Sequence, residues 1–264
     1  MTITLTILGC GSSGGVPRIG GEWGLCDPLN PRNRRRRCSV MLERTEASGA
    51  TRVLIDTSPD LREQMLSENV GAIDGVWFTH EHADHTHGID ELRGFFLRQR
   101  GRVPIWADEP TMIMLKNRFT YCFRTLDGSD YPPTLSPNLI EAGKEVGTSG
   151  AGGTISGMPF LVHHGNLDVL GFRIGNTAYT PDLNGVPDAS AAYLSNLDLW
   201  IVDALKRDPH GSHFCLDDTL RAIETYKPRR AVLTNMHIDM DYATLLAELP
   251  RGVEPAYDGL KLSL

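Results

Sequence analysis

One run of seven residues, Thr79-His80-Glu81-His82-Ala83-Asp84-His85, constrains this chain more than anything else in it. It follows a mainly apolar stretch, 75–78, that reads as a strand. Residues two apart at an extended strand end project to the same side, so His80 and His82 can grip one cation. The chain must then turn, and Ala83 offers no bulk against that. Asp84 and His85 emerge on a different bearing, suited to a second cation a few ångströms away. Neutral imidazoles with a few carboxylates suit zinc, manganese or iron and not calcium. The competing reading is a polar surface loop whose histidines, His87 included, cluster by accident. Four ligand types among the six residues 80–85, in this order, weigh against it.

Four ligands cannot complete two sites, so others are expected downstream. His163-His164 follows the run 157–162, Asp182 follows 176–181, and His237 follows 230–234. Each comes just after a strand-like segment, so one sheet edge can collect them. Alone, each is weak, because a single histidine or aspartate after a strand is more often a turn or cap residue.

Strand-like runs recur at 2–8, 39–43, 52–56, 75–79, 103–107, 160–163, 170–174, 199–203, 230–234 and 260–264. Helix-like stretches at 59–68, 89–97, 111–119, 216–226 and 242–248 sit between many of them. That alternation argues an α/β fold. The links from 39–43 to 52–56 and from 160–163 to 170–174 are too short for a helical crossover. Those pairs must be antiparallel hairpins, so the sheets are mixed. Segment 147–157 reads as a flexible surface connection. Expected ligands lie on both sides of it, which favours one domain over residues 1–264.

With 264 residues, 41% hydrophobic and 22% charged, the chain can bury a substantial core. Its net charge of −7 argues against loose binding to nucleic acid, which needs a positive field. No apolar run approaches the roughly 20 residues that span a bilayer. The alternating N-terminus reads as a first strand and not a signal peptide. Five scattered cysteines are no disulfide framework, which points to a cytoplasmic location.

The order HxHxDH, then His, then Asp, then a late His resembles the metallo-β-lactamase superfamily over nearly the whole chain. More narrowly, three segments resemble the phosphoribosyl 1,2-cyclic phosphate phosphodiesterase group. They are Gly9-Cys10-Gly11-Ser12-Ser13-Gly14-Gly15-Val16-Pro17, Arg37-Cys38-Ser39, and His213-Phe214-Cys215-Leu216 leading into a helix. The resemblance implies a four-layer αβ/βα sandwich of two mixed β-sheets flanked by helices, with the site at the edge of the sheets. It also implies two divalent metal ions, zinc or manganese. By analogy His80, His82 and His164 hold one, Asp84, His85 and the last histidine hold the other, and Asp182 bridges. Register puts Asn235 where relatives carry a late ligand histidine. Strand alternation lets His237, two residues on, face the same way, and His237 is assigned as the ligand. Of the cysteines that form a small zinc site in relatives, only Cys26 remains, so that site is expected to be absent.

The implied chemistry is hydrolysis. Two cations about 3.5–4 Å apart would share a hydroxide, the pKa of water falling from ~15.7 toward ~7. Asp84 would orient that nucleophile, and His213 would protonate the leaving group. His213 also reads as an ordinary residue before a helix start. Gly11–Gly15 amides form either a phosphate nest or merely a tight turn. The run Arg34-Arg35-Arg36-Arg37 reads as a solvated face, with one or two guanidinia near a substrate phosphate. Asp56 is expected either to support the histidines or to cap a turn. The expected substrate is a small phosphate ester, ribose- or nucleotide-like and cyclic or linear, bound without membrane or stable nucleic-acid contact. A homodimer is left open. The alternatives are a ribonuclease Z-like nuclease, a thioesterase or β-lactamase, and a metal-dependent binding protein without turnover.

Overall fold

The computed structural model describes residues 2–264, which places Met1 outside the described residues. Two seven-stranded sheets make up its centre. The first contains β1 (Ile3–Gly9), β2 (Ser39–Glu46), β3 (Gly49–Ile55), β4 (Gly75–Trp77), β5 (Val103–Ala107) and β6 (Leu135–Leu139). The second contains β7 (Val146–Gly150), β8 (Gly153–His164), β9 (Leu167–Ile174), β10 (Thr177–Thr180), β11 (Leu199–Asp203), β12 (Ala231–Thr234) and β13 (Val253–Pro255). The chain ends in β14 (Lys261–Ser263), which returns to pair with β1 at the edge of the first sheet. In both sheets an antiparallel part is joined to a run of parallel strands, β3 to β6 and β10 to β13.

Alternation along the strands sorts the side chains into layers. Val40 and Leu42, Val53 and Ile55, and Trp77 point into a core shared with Phe160, Val162, Phe172 and Ile201 of the second sheet. Their neighbours Met41, Leu54, Val76 and Phe78 point the other way, onto helices α1 (Leu61–Ser67), α3 (Leu92–Gln99) and α4 (Glu109–Arg118). Two shorter helices, α2 (Ala83–Thr86) and α5 (Thr120–Phe123), complete that side. On the far side α6 (Leu216–Tyr226) and α7 (Tyr242–Glu248) bury Leu216, Ala222 and Leu245 against the second sheet. This is the four-layer αβ/βα sandwich that the resemblance implied.

Trp77 and Trp200 are wholly buried, and each gives its indole N–H to a threonine hydroxyl, Thr148 at 3.0 Å and Thr180 at 2.9 Å. Trp77 thereby joins β4 to β7 across the sandwich. A buried tryptophan contributes about 3–5 kcal/mol, so the two sheets are firmly registered at the edge where the site lies.

Both expected hairpins are present, β2 with β3 and β8 with β9. Segment 147–157 is different from its reading as a flexible connection. It forms β7, a two-residue turn and the start of β8, paired from Val146–Gly157 to Gly150–Gly153. Its glycines do not prevent pairing because Thr148 and Ile155 supply the buried anchors. β6 and β13 were also not anticipated, while β10 falls within the strand-like run 176–181. All three are short, and β6 and β13 carry a proline in a strand at or near the sheet edge, where a missing donor is tolerated.

Candidate metal centre and its cleft

The centre is assembled from strand ends. β4 stops at Trp77, and three residues later His80 enters the edge between the sheets. His82, Asp84 and His85 follow in the turn and in α2. His164 ends β8, Asp182 lies two residues past β10, and Asn235 lies one past β12. One ligand atom from each of His80, His82, His164 and Asp182 falls within 4.8 Å of the other three. His85 Nε2 lies 3.2 Å from Asp182 Oδ1 and 3.6 Å from Asp84 Oδ2. His80 Nε2 and His164 Nε2 each lie 3.7 Å from Asp182 Oδ2.

Partners on the outer side fix which nitrogen faces inward. Asp56, one residue past β3 in the left-handed region at φ 67°, accepts from the Thr79 amide (2.8 Å), Thr79 Oγ1 (2.8 Å) and His85 Nδ1 (2.7 Å). Thr79 Oγ1 in turn accepts from His80 Nδ1 at 2.9 Å, and the Ser212 carbonyl accepts from His164 Nδ1 at 2.6 Å. With Nδ1–H donating outward, all three rings present the Nε2 lone pair to the centre. His80 Nε2 and His85 Nε2 are buried and have no hydrogen-bond partner. A buried nitrogen lone pair without a donor is costly, and a cation satisfies it.

The charges agree with that fit. Burial, then the neighbouring His85, drives His80 well below its ordinary pKa, so its ring is neutral and free to ligate. Burial also pulls His85 down, but Asp182, Asp84 and Asp56 outweigh it and hold its pKa well above the usual range. Three carboxylates around one ring are an array that calls for positive charge at this point.

His237 stands apart from this group, contrary to its assignment as a ligand. Asn235 takes a left-handed conformation, φ 60°, which breaks the alternation that would carry residue 237 to the same side. Asn235 Nδ2 donates to Asp182 Oδ1 at 3.2 Å and lies 3.2 Å from His213 Nδ1. His237 instead donates from Nδ1 to Asp239 Oδ1 at 2.9 Å and turns Nε2 toward Arg18. His87 packs edge-on against Phe119, and His163 pairs with Asp168.

A cleft of about 200 Å³ opens beside the centre, with Ser12, Asp84, Lys206, His213 and Asn235 among its walls. His213 Nδ1 donates to Asp203 Oδ2 at 2.7 Å, so its Nε2 is left to the cleft. Burial lowers the pKa of His213, but the hydrogen bond and charge of Asp203 overcome this and lift it to about 9. Burial pushes the Asp203 carboxyl itself up to about 7, so the pair holds a proton at neutral pH.

In the glycine loop the amides of Gly11, Ser12, Gly15 and Val16 donate to backbone carbonyls of Arg36, Met236, Ser12 and Arg35. Those four are therefore spent on packing and not on an anion. A Cβ on Gly9 would lie 2.0 Å from the Arg37 carbonyl, which explains the glycine there. The arginine run is not a solvated face. Arg35 is 2% exposed and donates to the Met240 carbonyl at 2.7 Å, while Arg36 and Arg37 pair with Asp258 and Asp60.

Residues 51–238 match the family model of the Beta-lactamase superfamily domain. The chain belongs to this superfamily. A crystal structure of a new diphosphatase from the PhnP family superposes with a TM-score of 0.89 at 36% identity, covering 100% of this chain and 98% of that one. Zn(2+)-bound PqqB from Methylobacterium extorquens superposes with a TM-score of 0.75 over 99% of this chain and 100% of its own, at 17% identity, which shows the shared fold. A protein of Porphyromonas gingivalis (strain ATCC BAA-308 / W83) named octanoyltransferase is 30% identical over 257 residues, 97% of this chain. The chain spans about half the length of that relative. With the superfamily, the PhnP-family likeness and the histidine–aspartate centre together, the chain is a metal-dependent hydrolase. Among the described residues no helix is long and apolar enough to cross a membrane.

Three participants escaped the sequence reading. Asp203 carried the same signal as Asp56, an aspartate closing an apolar strand, yet only the fold sets it against His213. Ser212 acts through a carbonyl, which no residue type announces. Arg18 lies outside every motif considered.

Proposed function

We propose that this chain hydrolyses a small ribose- or nucleotide-like phosphodiester, cyclic or linear, at a centre holding two divalent cations, zinc or manganese. The observation that carries this reading is the proton-bearing His213–Asp203 pair beside the His80/His82/His164/Asp182 cluster, in a chain that aligns end to end with a PhnP-family diphosphatase. His80, His82, His164 and Asp182 would hold one cation. Asp84, His85, Asp182 and Asn235 would hold the other. Bound there, the cations supply Lewis acidity toward water and the phosphoryl oxygens.

The chain's own groups do the rest. Asp84 orients the attacking water, and Asp56, through Thr79 and directly, keeps the His80 and His85 rings in register. His213 Nε2 gives a proton to the departing oxygen, while Asp203 holds the ring in place. Transfer of an octanoyl group fits this site poorly. Its cleft is walled by serines, Arg18, Asp84, Lys206 and histidines, with Leu205 the aliphatic exception, and offers no apolar channel for an acyl chain. With added manganese or zinc, the protein is expected to cleave bis-p-nitrophenyl phosphate and ribose cyclic phosphates and to leave nitrocefin intact. Nitrocefin turnover without phosphodiester turnover would replace this reading with a lactamase.

Asn235 sets the two cation sites apart. As oriented, its Nδ2 donates; turned over, the amide presents Oδ1, a weaker donor than an imidazole. Calorimetric titration should therefore give one tight and one weaker equivalent of zinc. Asn235→His is expected to tighten the weaker one by about tenfold or more, about 1.4 kcal/mol. Two equally tight equivalents in the wild type would show that Asn235 is no handicap.

A further inference from the structure

A second cavity, of about 800 Å³ against about 200 Å³ for the cleft, has no part in the mechanism above. The glycine loop is shared between the two. Ser12, Ser13 and Arg18 line the cleft, whereas Gly15, Val16 and Pro17 line the cavity. Small-molecule sites typically measure roughly 300–1,000 Å³, and this cavity is of that size. Pro17, Pro31 and Leu66 give it apolar walls. The run Arg34–Arg37 adds four arginines, against three carboxylates, Asp60, Glu63 and Asp258. Positive charge is thus concentrated here in a chain whose net charge is −7.

Two of the carboxylates are spent inside the wall. Asp258 accepts from the amides of Arg36 (2.8 Å) and Cys10 (3.2 Å) and from Arg36 Nε (2.9 Å). Asp60 accepts from the Arg37 amide at 2.9 Å and lies 3.0 Å from Arg37 Nε. Each guanidinium is held through Nε, and most of its outer nitrogens are left over. Arg36 Nη1 donates to Ser67 Oγ at 2.8 Å, while Arg36 Nη2 and both Nη atoms of Arg37 have no partner among the described residues. Arg34 is exposed and makes no ion pair among the described residues; its guanidinium carbon lies 5.5 Å from the centre of the Trp23 ring. Guanidinium groups with open Nη atoms grip phosphate through paired N–H donors. Three of them on one cavity match the three oxygens of a terminal phosphate better than the two of a carboxylate.

We propose that Arg34, Arg36 and Arg37 form a noncatalytic site for a phosphate monoester whose apolar or planar body rests on Pro17, Pro31 and Leu66. The site does not depend on the phosphodiesterase reading. Under that reading, its ligand is of the same class as the monoester that the reaction releases.

The test titrates AMP by calorimetry into metal-loaded wild type, Arg34→Ala, Arg34→Lys and Glu63→Gln, and into Asp182→Ala, with adenosine as the control lacking phosphate. Arg34 has no ion pair to lose, and Glu63 pairs only with the exposed Arg62 among the described residues, so neither substitution should disturb the fold. AMP can also reach cations at the histidine–aspartate cluster, so binding that persists in Asp182→Ala marks the cavity. Arg34→Ala should weaken that binding by ~10-fold or more, and Arg34→Lys by less. Glu63→Gln, which removes a negative charge from the wall, should tighten it by ~2–5-fold. Adenosine should bind at least ~10-fold more weakly than AMP. AMP binding that vanishes in Asp182→Ala, or that Arg34→Ala and Glu63→Gln both leave unmoved, overturns the proposal. Binding is read without turnover, so the result is separate from whether the chain hydrolyses phosphodiesters.

Discussion

Removing divalent metal should bring hydrolysis of bis-p-nitrophenyl phosphate down to the uncatalysed background, with recovery on adding manganese or zinc. Asp182→Ala should reach nearly the same endpoint without chelation. Among the described residues Asp182 is the one carboxylate within reach of three rings, 3.2 Å from His85 and 3.7 Å from His80 and His164. Its loss leaves clustered imidazoles with no anion between them, and each proposed cation would lose its shared ligand. Lewis-acid stabilisation is worth several kcal/mol of barrier, so kcat/KM is expected to fall by roughly 10⁴ or more. Metal analysis on the same sample should show fewer than one equivalent retained. Full turnover after exhaustive chelation would falsify the mechanism.

The second large effect belongs to His213. His213→Ala should cut kcat by roughly 10²–10⁴ on an alkyl phosphodiester while metal content stays intact. On bis-p-nitrophenyl phosphate the loss should be smaller, because p-nitrophenolate departs without a proton. The pH profile supplies a separate check. With its pKa raised to about 9, the ring carries the proton it must donate at neutral pH and loses it as pH rises through that value. The wild-type kcat is therefore expected to decline on the alkaline side, and that limb should vanish in the variant. Equal losses on both leaving groups, or an unaltered limb, would remove His213 from the role of acid.

Much of this was legible in residue types and their spacing. HxHxDH after an apolar run can be read because strand periodicity dictates where its side chains point, and His164 and Asp182 follow strands in the same way. His237 was expected at the centre and Asn235 lies there instead, because periodicity was carried through a residue that abandons it. A single positive φ reverses which side chain faces the centre, and propensity alone does not reveal it, although asparagine is among the residues that tolerate that conformation. The glycine loop read equally as an anion nest or a tight turn because sequence shows amides without showing what they bond. The arginine run looked solvated because nothing in the sequence places Asp258 and Asp60 beside it. Long-range pairing decided both.

The proposed ligands come from both halves of the sandwich: His80 and His82 follow a strand of the first sheet, while His164 ends one strand of the second and Asp182 follows another. A cation held by all four would act as a clasp between the halves. An opened chain cannot offer the same grip, so occupancy feeds directly into resistance to denaturation, by about 2.7 kcal/mol at a free concentration a hundredfold above the dissociation constant. Metal supply in the surrounding medium would then govern how long the molecule survives as well as how fast it works.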